Sequence, residues 1–143
     1  MAFKITTSID INASAESVWQ HLTDFENYPK GNPFIKEISG KVAEGNTVRV
    51  TIEGMNFKPR VLSYKPPREF IWKGKLFTNL LFSGTHGFEI VMKTDRSCTF
   101  IHTEVFSGLL VPMMKKKLST ETREGFEAMN QALKQRVEIN PVS

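Results

Sequence analysis

The sequence predicts an α+β fold, with a curved, seven-stranded antiparallel sheet wrapped around a long C-terminal helix and two short helices set after the first strand. Three observations carry that prediction. Apolar residues recur every three or four positions from Leu118 to Val137, the period of one helical face. Upstream, seven short stretches alternate apolar and polar residues or run rich in β-branched and aromatic ones. Tight turn signals separate the later stretches, and strands joined by tight turns pair antiparallel.

At 143 residues the chain is expected to be one domain, 1–143. A hydrophobic fraction of 40% and a charged fraction of 24% suit a packed globular protein and argue against a disordered one. No apolar run reaches the roughly 20 residues that a membrane span needs, so no stable membrane insertion is expected. The N-terminus carries no charged segment followed by an apolar one, and a cytoplasmic location is the default expectation. Cys98 is the sole cysteine, which excludes an intramolecular disulfide and fits a small buried strand residue.

In chain order, Phe3 to Asn12 alternates Ile5, Thr7, Ile9 and Ile11 against Lys4, Thr6, Ser8 and Asp10, as a half-buried strand does. Ser14 is placed to cap a short helix, with Glu16 in its first turn and Val18 and Leu22 on one face. Asp24 is placed to cap a second, Phe25 to Tyr28, stopped by Pro29. Strands are then expected over Ile35–Val42, Thr47–Glu53, Phe57–Tyr64, Glu69–Lys75, Phe82–Lys93 and Ser97–Phe106. Gly84 and Gly87 would permit a bend or bulge in the long sixth strand.

Ser107-Gly108 and Pro112 mark the junction to the last helix, expected to run unbroken from Val111 to Val137. Leu118, Thr122, Phe126, Met129, Leu133 and Val137 form its inner stripe, widened by Ala128 and Ala132. Lys116, Lys117, Arg123, Glu124, Glu127, Lys134 and Glu138 face water. Gly125 in mid-helix costs roughly 1 kcal/mol against Ala, and marks either close approach of a strand or a weak spot. The residue before Pro141 is biased out of the helical region, so the helix ends at Asn140. A stripe without heptad flanking charges calls for a sheet to lie on rather than a coiled-coil partner. One helix cannot fill the concave side of seven strands, so a cavity between sheet and helix is expected.

Several strings carry a resemblance. Ile9-Asp10-Ile11-Asn12-Ala13-Ser14-Ala15-Glu16-Ser17-Val18-Trp19 and Thr23-Asp24-Phe25-Glu26-Asn27-Tyr28-Pro29 resemble the opening strand and first helices of the helix-grip superfamily. Gly84-Thr85-His86-Gly87-Phe88 and Glu104-Val105-Phe106-Ser107-Gly108-Leu109-Leu110 resemble late-strand motifs of its small members. Gly125 to Lys134 is similar to their terminal helix. The group comprises START lipid-transfer domains, plant pathogenesis-related carriers and the polyketide cyclase/dehydrase-like SRPBCC proteins. The resemblance covers essentially the whole chain and implies a hydrophobic ligand, lipid- or polyketide-like, held between sheet and helix. No catalytic motif of the group carries over residue by residue.

The chemistry-bearing residues fall on the two long strands. His86, Phe88, Ile90 and Met92 share one face, as do Phe100, His102, Glu104 and Phe106 on the next strand. If both faces are concave, two imidazoles and a carboxyl lie among apolar walls. The three are an acid/base group, since each shifts the other's pKa, or anchors that orient a ligand, or structural groups with satisfied hydrogen bonds or exposed to solvent. Trp72, sharing a face with Phe70, and Phe126 and Met129 on the helix complete the expected binding wall. Phe77, Leu80 and Leu81 either form a lid or pack on the helix start at Leu109 and Leu110; Tyr28, Phe34 and Phe57 are rim candidates.

A small hydrophobic molecule is thus the expected partner. The alternatives are a cyclase, dehydratase or hydrolase using His86, His102 and Glu104, and an adaptor presenting Lys115, Lys116 and Lys117. That basic run lacks interleaved aromatics, so no nucleic-acid partner is expected at a net charge of +4. His21, His86, His102 and Cys98 have no metal-ligand spacing, no phosphate loop or dinucleotide fingerprint is present, and no metal or cofactor is expected. Oligomeric state is left open.

Overall fold

The computed structural model describes residues 2–28, 32–33, 35–52, 54–75, 78 and 80–140. Among them, eight strands form two sheets. The larger sheet has the order β1 (Ala2–Ile11), β8 (Ser97–Ser107), β7 (Ser83–Thr94), β6 (Glu69–Lys75), β5 (Arg60–Lys65). The smaller has the order β2 (Ile35–Ser39), β3 (Arg49–Ile52), β4 (Met55–Phe57). All pairings are antiparallel, and one isolated bridge, Thr47 to Arg60, ties the two sheets.

The expected seven-stranded single sheet is therefore corrected to eight strands in two. The physical reason lies at Pro59. A proline has no N–H to give to a ladder, so the stretch expected as one strand over 57–64 divides into β4 and β5. The strand expected from Ile35 to Val42 stops at Ser39, where Gly40 turns with φ +100°.

Among the described residues between β1 and β2 are α1 (Ala15–Leu22) and a 3-10 turn, Phe25–Asn27. Ser14 caps α1, its Oγ accepting from the Ser17 N–H at 3.1 Å. Asp24 makes no such backbone cap; its carboxylate accepts from the Asn27 side chain instead, and of the expected second helix Phe25–Asn27 forms the 3-10 turn while Tyr28 is helical.

The C-terminal helix is interrupted. It comprises α2 (Val111–Lys117), a π-helical turn over Leu118–Thr122, and α3 (Arg123–Ile139), rather than one regular rod. Pro112 occupies the first turn of α2. Gly108 makes the junction with φ +123°, and a Cβ there would collide with the Leu81 backbone, so the corner requires glycine.

α3 lies over β1 and β8, and α1 packs on α3. Phe126, Met129, Leu133 and Val137 are buried there against Ile11, Val18, Leu22 and Phe100. Each such side chain contributes about 1.5–3 kcal/mol by leaving water. Ala128, expected to widen the stripe, is exposed; Asn130 takes a buried place instead. Polar clamps fix the far end: Lys134 Nζ donates to the Asp10 carbonyl and the Asn12 N–H to Glu138, each at 2.8 Å. No described helix is long and apolar enough to cross a membrane.

Candidate functional site

The register of the large sheet sets the polar groups. His86 on β7 lies opposite Glu104 on β8 and opposite Trp72 on β6. Phe88 and Thr7 both lie opposite His102. The pairing of β7 with β8 runs unbroken from Ser83 to Met92, so neither Gly84 nor Gly87 carries a bulge. Their lack of a side chain makes room: a Cβ on Gly84 would run into the Glu104 carboxyl, and one on Gly87 would sit 2.7 Å from the Thr103 hydroxyl. Alternation therefore holds, and His86, Phe88, Ile90, Phe100, His102 and Phe106 all turn inward. Met92, in phase with them, lies beyond the helix at the hairpin tip and is 66% exposed.

A directional hydrogen-bond chain runs through the core. The Thr7 hydroxyl donates to the His102 carbonyl at 3.3 Å. Its oxygen therefore accepts from the Asn130 amide nitrogen, at 2.9 Å. That orients the Asn130 carbonyl towards His102, whose Nδ1–H donates to it at 2.9 Å. A neutral imidazole protonated on Nδ1 has a bare Nε2, so His86 Nε2–H must be the donor in the close His86–His102 contact. The atom His86 has left to offer is the lone pair on Nδ1.

Packing holds both rings in this state. The Phe126 ring lies 3.7 Å from the His102 ring and 5.0 Å from that of His86, centroid to centroid, tilted by 7° and 6°. Burial pushes His86 well below the usual imidazole range and His102 down to about 3, so neither is charged at neutral pH.

Glu104 has the opposite problem. Burial raises its carboxyl to about 8, and among the described residues no donor or cation compensates it. Part of its surface stays uncovered because it borders a void, but that void is mostly apolar and gives a carboxylate little solvation.

The void is a cavity of about 210 Å³, partly open to solvent. Its floor is Trp72, Gly84, His86, Glu104 and Phe106 from β6, β7 and β8. One wall is the β3–β4 hairpin with Val50, Ile52, Met55 and Phe57. The other is Met114 on α2 and Leu118, Glu121 and Thr122 from the π turn. Lys75 and Lys117 are exposed at its open side, Lys117 lying 3.9 Å from Glu121.

Of the residues expected to bind a ligand, Trp72, His86, Glu104 and Phe106 border this space. Phe88, Ile90, Phe100, His102, Phe126 and Met129 do not: they sit where α3 presses on the sheet, and their side chains fill that gap with one another. Phe57 is at the wall, whereas Tyr28 is buried, donating its hydroxyl to the Leu22 carbonyl. Leu80 and Leu81 accept backbone hydrogen bonds from Leu109 and Leu110 at 3.0 Å, which tie this loop to the helix start, while the side chains of Leu80 and Leu109 stay exposed. Phe34 and Phe77 lie outside the described residues. Cys98 is buried, its thiol pushed up to about 11. Among the described residues no His, Cys, Asp and Glu side chains gather into a metal-binding group.

Residues 2–138 match the family described as polyketide cyclase / dehydrase and lipid transport. The chain belongs to that family. No curated protein sequence matches this family member. A START superfamily protein from Mycobacterium smegmatis is similar in structure at TM-score 0.73 and 26% identity, over 95% of this chain and 97% of that one. Zhui aromatase/cyclase from a Streptomyces species aligns at TM-score 0.81 and 14% identity, over 100% and 98% of the two chains. Norcoclaurine synthase from Thalictrum flavum aligns at 0.77 and 15%, over 99% and 98%. The last two likenesses show a shared fold, the curved sheet gripping a long C-terminal helix.

Within this cyclase/dehydrase and lipid-transport fold, the sequence reading missed Thr7 and Asn130 as partners of the imidazoles, and the hairpin and π-turn walls. Asn130 carried a signal. It falls four residues after Phe126 and three before Leu133, at the helical spacing of a core position, and a polar side chain there needs a buried partner.

Proposed function

We propose that this chain binds a small, mostly apolar molecule in the cavity between the β3–β4 hairpin, the floor of β6–β8 and the π turn. One observation carries the reading. The hollow is walled by Val50, Ile52, Phe57, Trp72, Phe106 and Leu118, with a single polar pair, His86 and Glu104, at its floor. Apolar pockets with few convergent polar groups suit ligands whose buried surface drives binding and whose polar end sets orientation. Membership of a family of lipid transport and polyketide cyclisation supports the same class of ligand. A cytoplasmic setting belongs to this reading.

The test is native mass spectrometry of protein purified from its own host, followed by titration with lipid, sterol and polyketide panels. A retained adduct, or binding lost at least tenfold when Leu118→Trp fills the hollow, is the expected result. A clean apo mass with no binding across all panels overturns it.

A second reading is favoured by the pairing of a protonated Glu104 with a neutral His86 at the same floor. An acid beside a base in a low-dielectric site suits dehydration or aldol-type cyclisation. Equal turnover of a candidate polyketide by wild type and Glu104→Gln removes Glu104 from any such reaction.

A further inference from the structure

We propose that the cavity selects a hydrophobic amine, whose ammonium group sits on the Glu104 carboxylate beside the His86 Nδ1 lone pair while its apolar body lies against the aromatic walls. This rests on reading the cavity as a ligand site and names the ligand class.

Glu104 lies inside the fold and, among the described residues, receives no hydrogen bond and faces no cation within salt-bridge reach. The carboxyl borders the cavity rather than being sealed in the core, where mostly apolar walls solvate its charged form poorly and leave its hydrogen-bonding capacity to a ligand. Space for it is built in: Gly84 on β7 leaves open the volume that the carboxyl occupies. Its cross-strand neighbour is His86, and side chains opposed in this way lie about 4.5–5.5 Å apart at Cβ.

The relay from Thr7 through Asn130 and His102 fixes the tautomer of His86, so that its Nδ1 offers a lone pair and no proton. An ionised Glu104 and this nitrogen are two adjacent acceptors. An alkylammonium, with three N–H donors and one positive charge, satisfies both; an alcohol has one donor, and a carboxylate has none. Trp72 and Phe106 beside them offer aromatic faces, which also favour a cation.

The other charged groups that border the cavity do not reverse this preference. Lys75 from β6 and Lys117 from α2 lie exposed at the open side, where water and salt screen them, and Glu121 faces Lys117. His86 is uncharged, held so by burial and by its place in the relay. Proton accounting follows. Near neutral pH the free site holds one proton on Glu104, so taking up an alkylammonium expels that proton, and affinity rises with pH until Glu104 is ionised in the free protein, at about 8.

The experiment is calorimetric titration of the full chain with n-octylamine, n-octanol and octanoate. At pH 8 octylamine should bind at least tenfold more tightly than octanol, and octanoate more weakly than either. At pH 6.5, titrations in buffers of different ionisation enthalpy should show nearly one proton released per octylamine and none per octanol. Glu104→Gln should bring octylamine to the level of octanol, and circular dichroism checks that the variant folds; the proton count needs no variant. Octanol or octanoate binding as tightly as octylamine, or octylamine binding with no proton released, overturns the amine assignment and leaves the cavity as a ligand site. Failure of all three probes to bind overturns both.

Discussion

The two ends of the grip are built differently. At the closed end α3 lies on β1 and β8, and Phe88, Phe100, Phe126 and Leu133 interlock around the uncharged His102 imidazole, both of whose ring nitrogens are hydrogen-bonded. At the open end α2 and the π turn stand off from the sheet, and Trp72, Phe106 and Phe57 face empty space beside a carboxyl with no described partner. The same two strands, β7 and β8, run through both ends. What differs is whether a helix covers them closely. The polar groups of the closed end hold the fold's register, and those of the open end are spare, which is the property of a site.

The largest expected effect breaks the closed end. Phe126→Ala removes a fully buried ring that stacks on both imidazoles, and should cost about 3–5 kcal/mol in urea unfolding. The same truncation at half-buried Phe57 should cost about 1 kcal/mol and weaken ligand binding instead. Equal losses at the two positions would erase the distinction between the ends.

Next comes Asn130→Ala. It leaves the His102 Nδ1–H buried without an acceptor, at a cost of about 1–3 kcal/mol, and frees His102 to change tautomer. Nitrogen NMR of both imidazoles should show the protonated positions of His86 and His102 shift; unchanged spectra would dissolve the relay.

Glu104→Gln sharpens the comparison from the open side, because it should stabilise the protein. A carboxyl whose pKa is raised from 4.5 to about 8 by burial costs stability wherever the unfolded chain ionises and the folded one does not. At pH 8 the gain should be on the order of 2 kcal/mol, less than the full shift implies because the cavity admits some water. At pH 4 the gain should vanish.

His86 and His102 fold uncharged, so stability is lost as pH falls below the imidazole reference of 6.5, towards about 3 for His102. Glu104 folds protonated, so stability is lost as pH rises from 4.5 to about 8. Two imidazoles outweigh one carboxyl between those windows, so unfolding free energy should peak near pH 6.5. A profile still rising from pH 6.5 to 8 would show that Glu104 is solvated. Smallest of all, Gly84→Ala should cost about 1 kcal/mol of stability, by displacing the Glu104 carboxyl, and should weaken the site more than the fold.

Much of the closed end was legible in the sequence. Period-two alternation placed His86, His102, Phe88 and Phe100 on one concave face, and the helical stripe found Phe126, Met129, Leu133 and Val137. The open end was less legible, for physical reasons. A cavity wall has no period of its own: Val50 and Ile52 read as ordinary strand residues, and what makes them a wall is the helix's failure to reach them. Pro59 was read through as part of one strand, Phe57–Tyr64, and its consequence, a second sheet, depends on pairings that local pattern does not encode. Gly84 was read as backbone freedom and turned out to be vacated volume. The π turn leaves no mark in apolar spacing, since Leu118 and Phe126 satisfy the helical stripe with or without it.

That turn has a consequence for how the chamber changes size. A π turn winds a surplus residue into a helix. Losing one residue from 118–122 would restore regular winding and rotate everything before it by roughly 100° about the axis, carrying Met114 and Lys117 off the wall. The corner at Gly108 is pinned against Leu81, so the strand that feeds the helix cannot follow that rotation. Gain or loss of a single residue here is thus a gear change for the hollow, able to retune which molecules fit while every side chain of the floor stays the same.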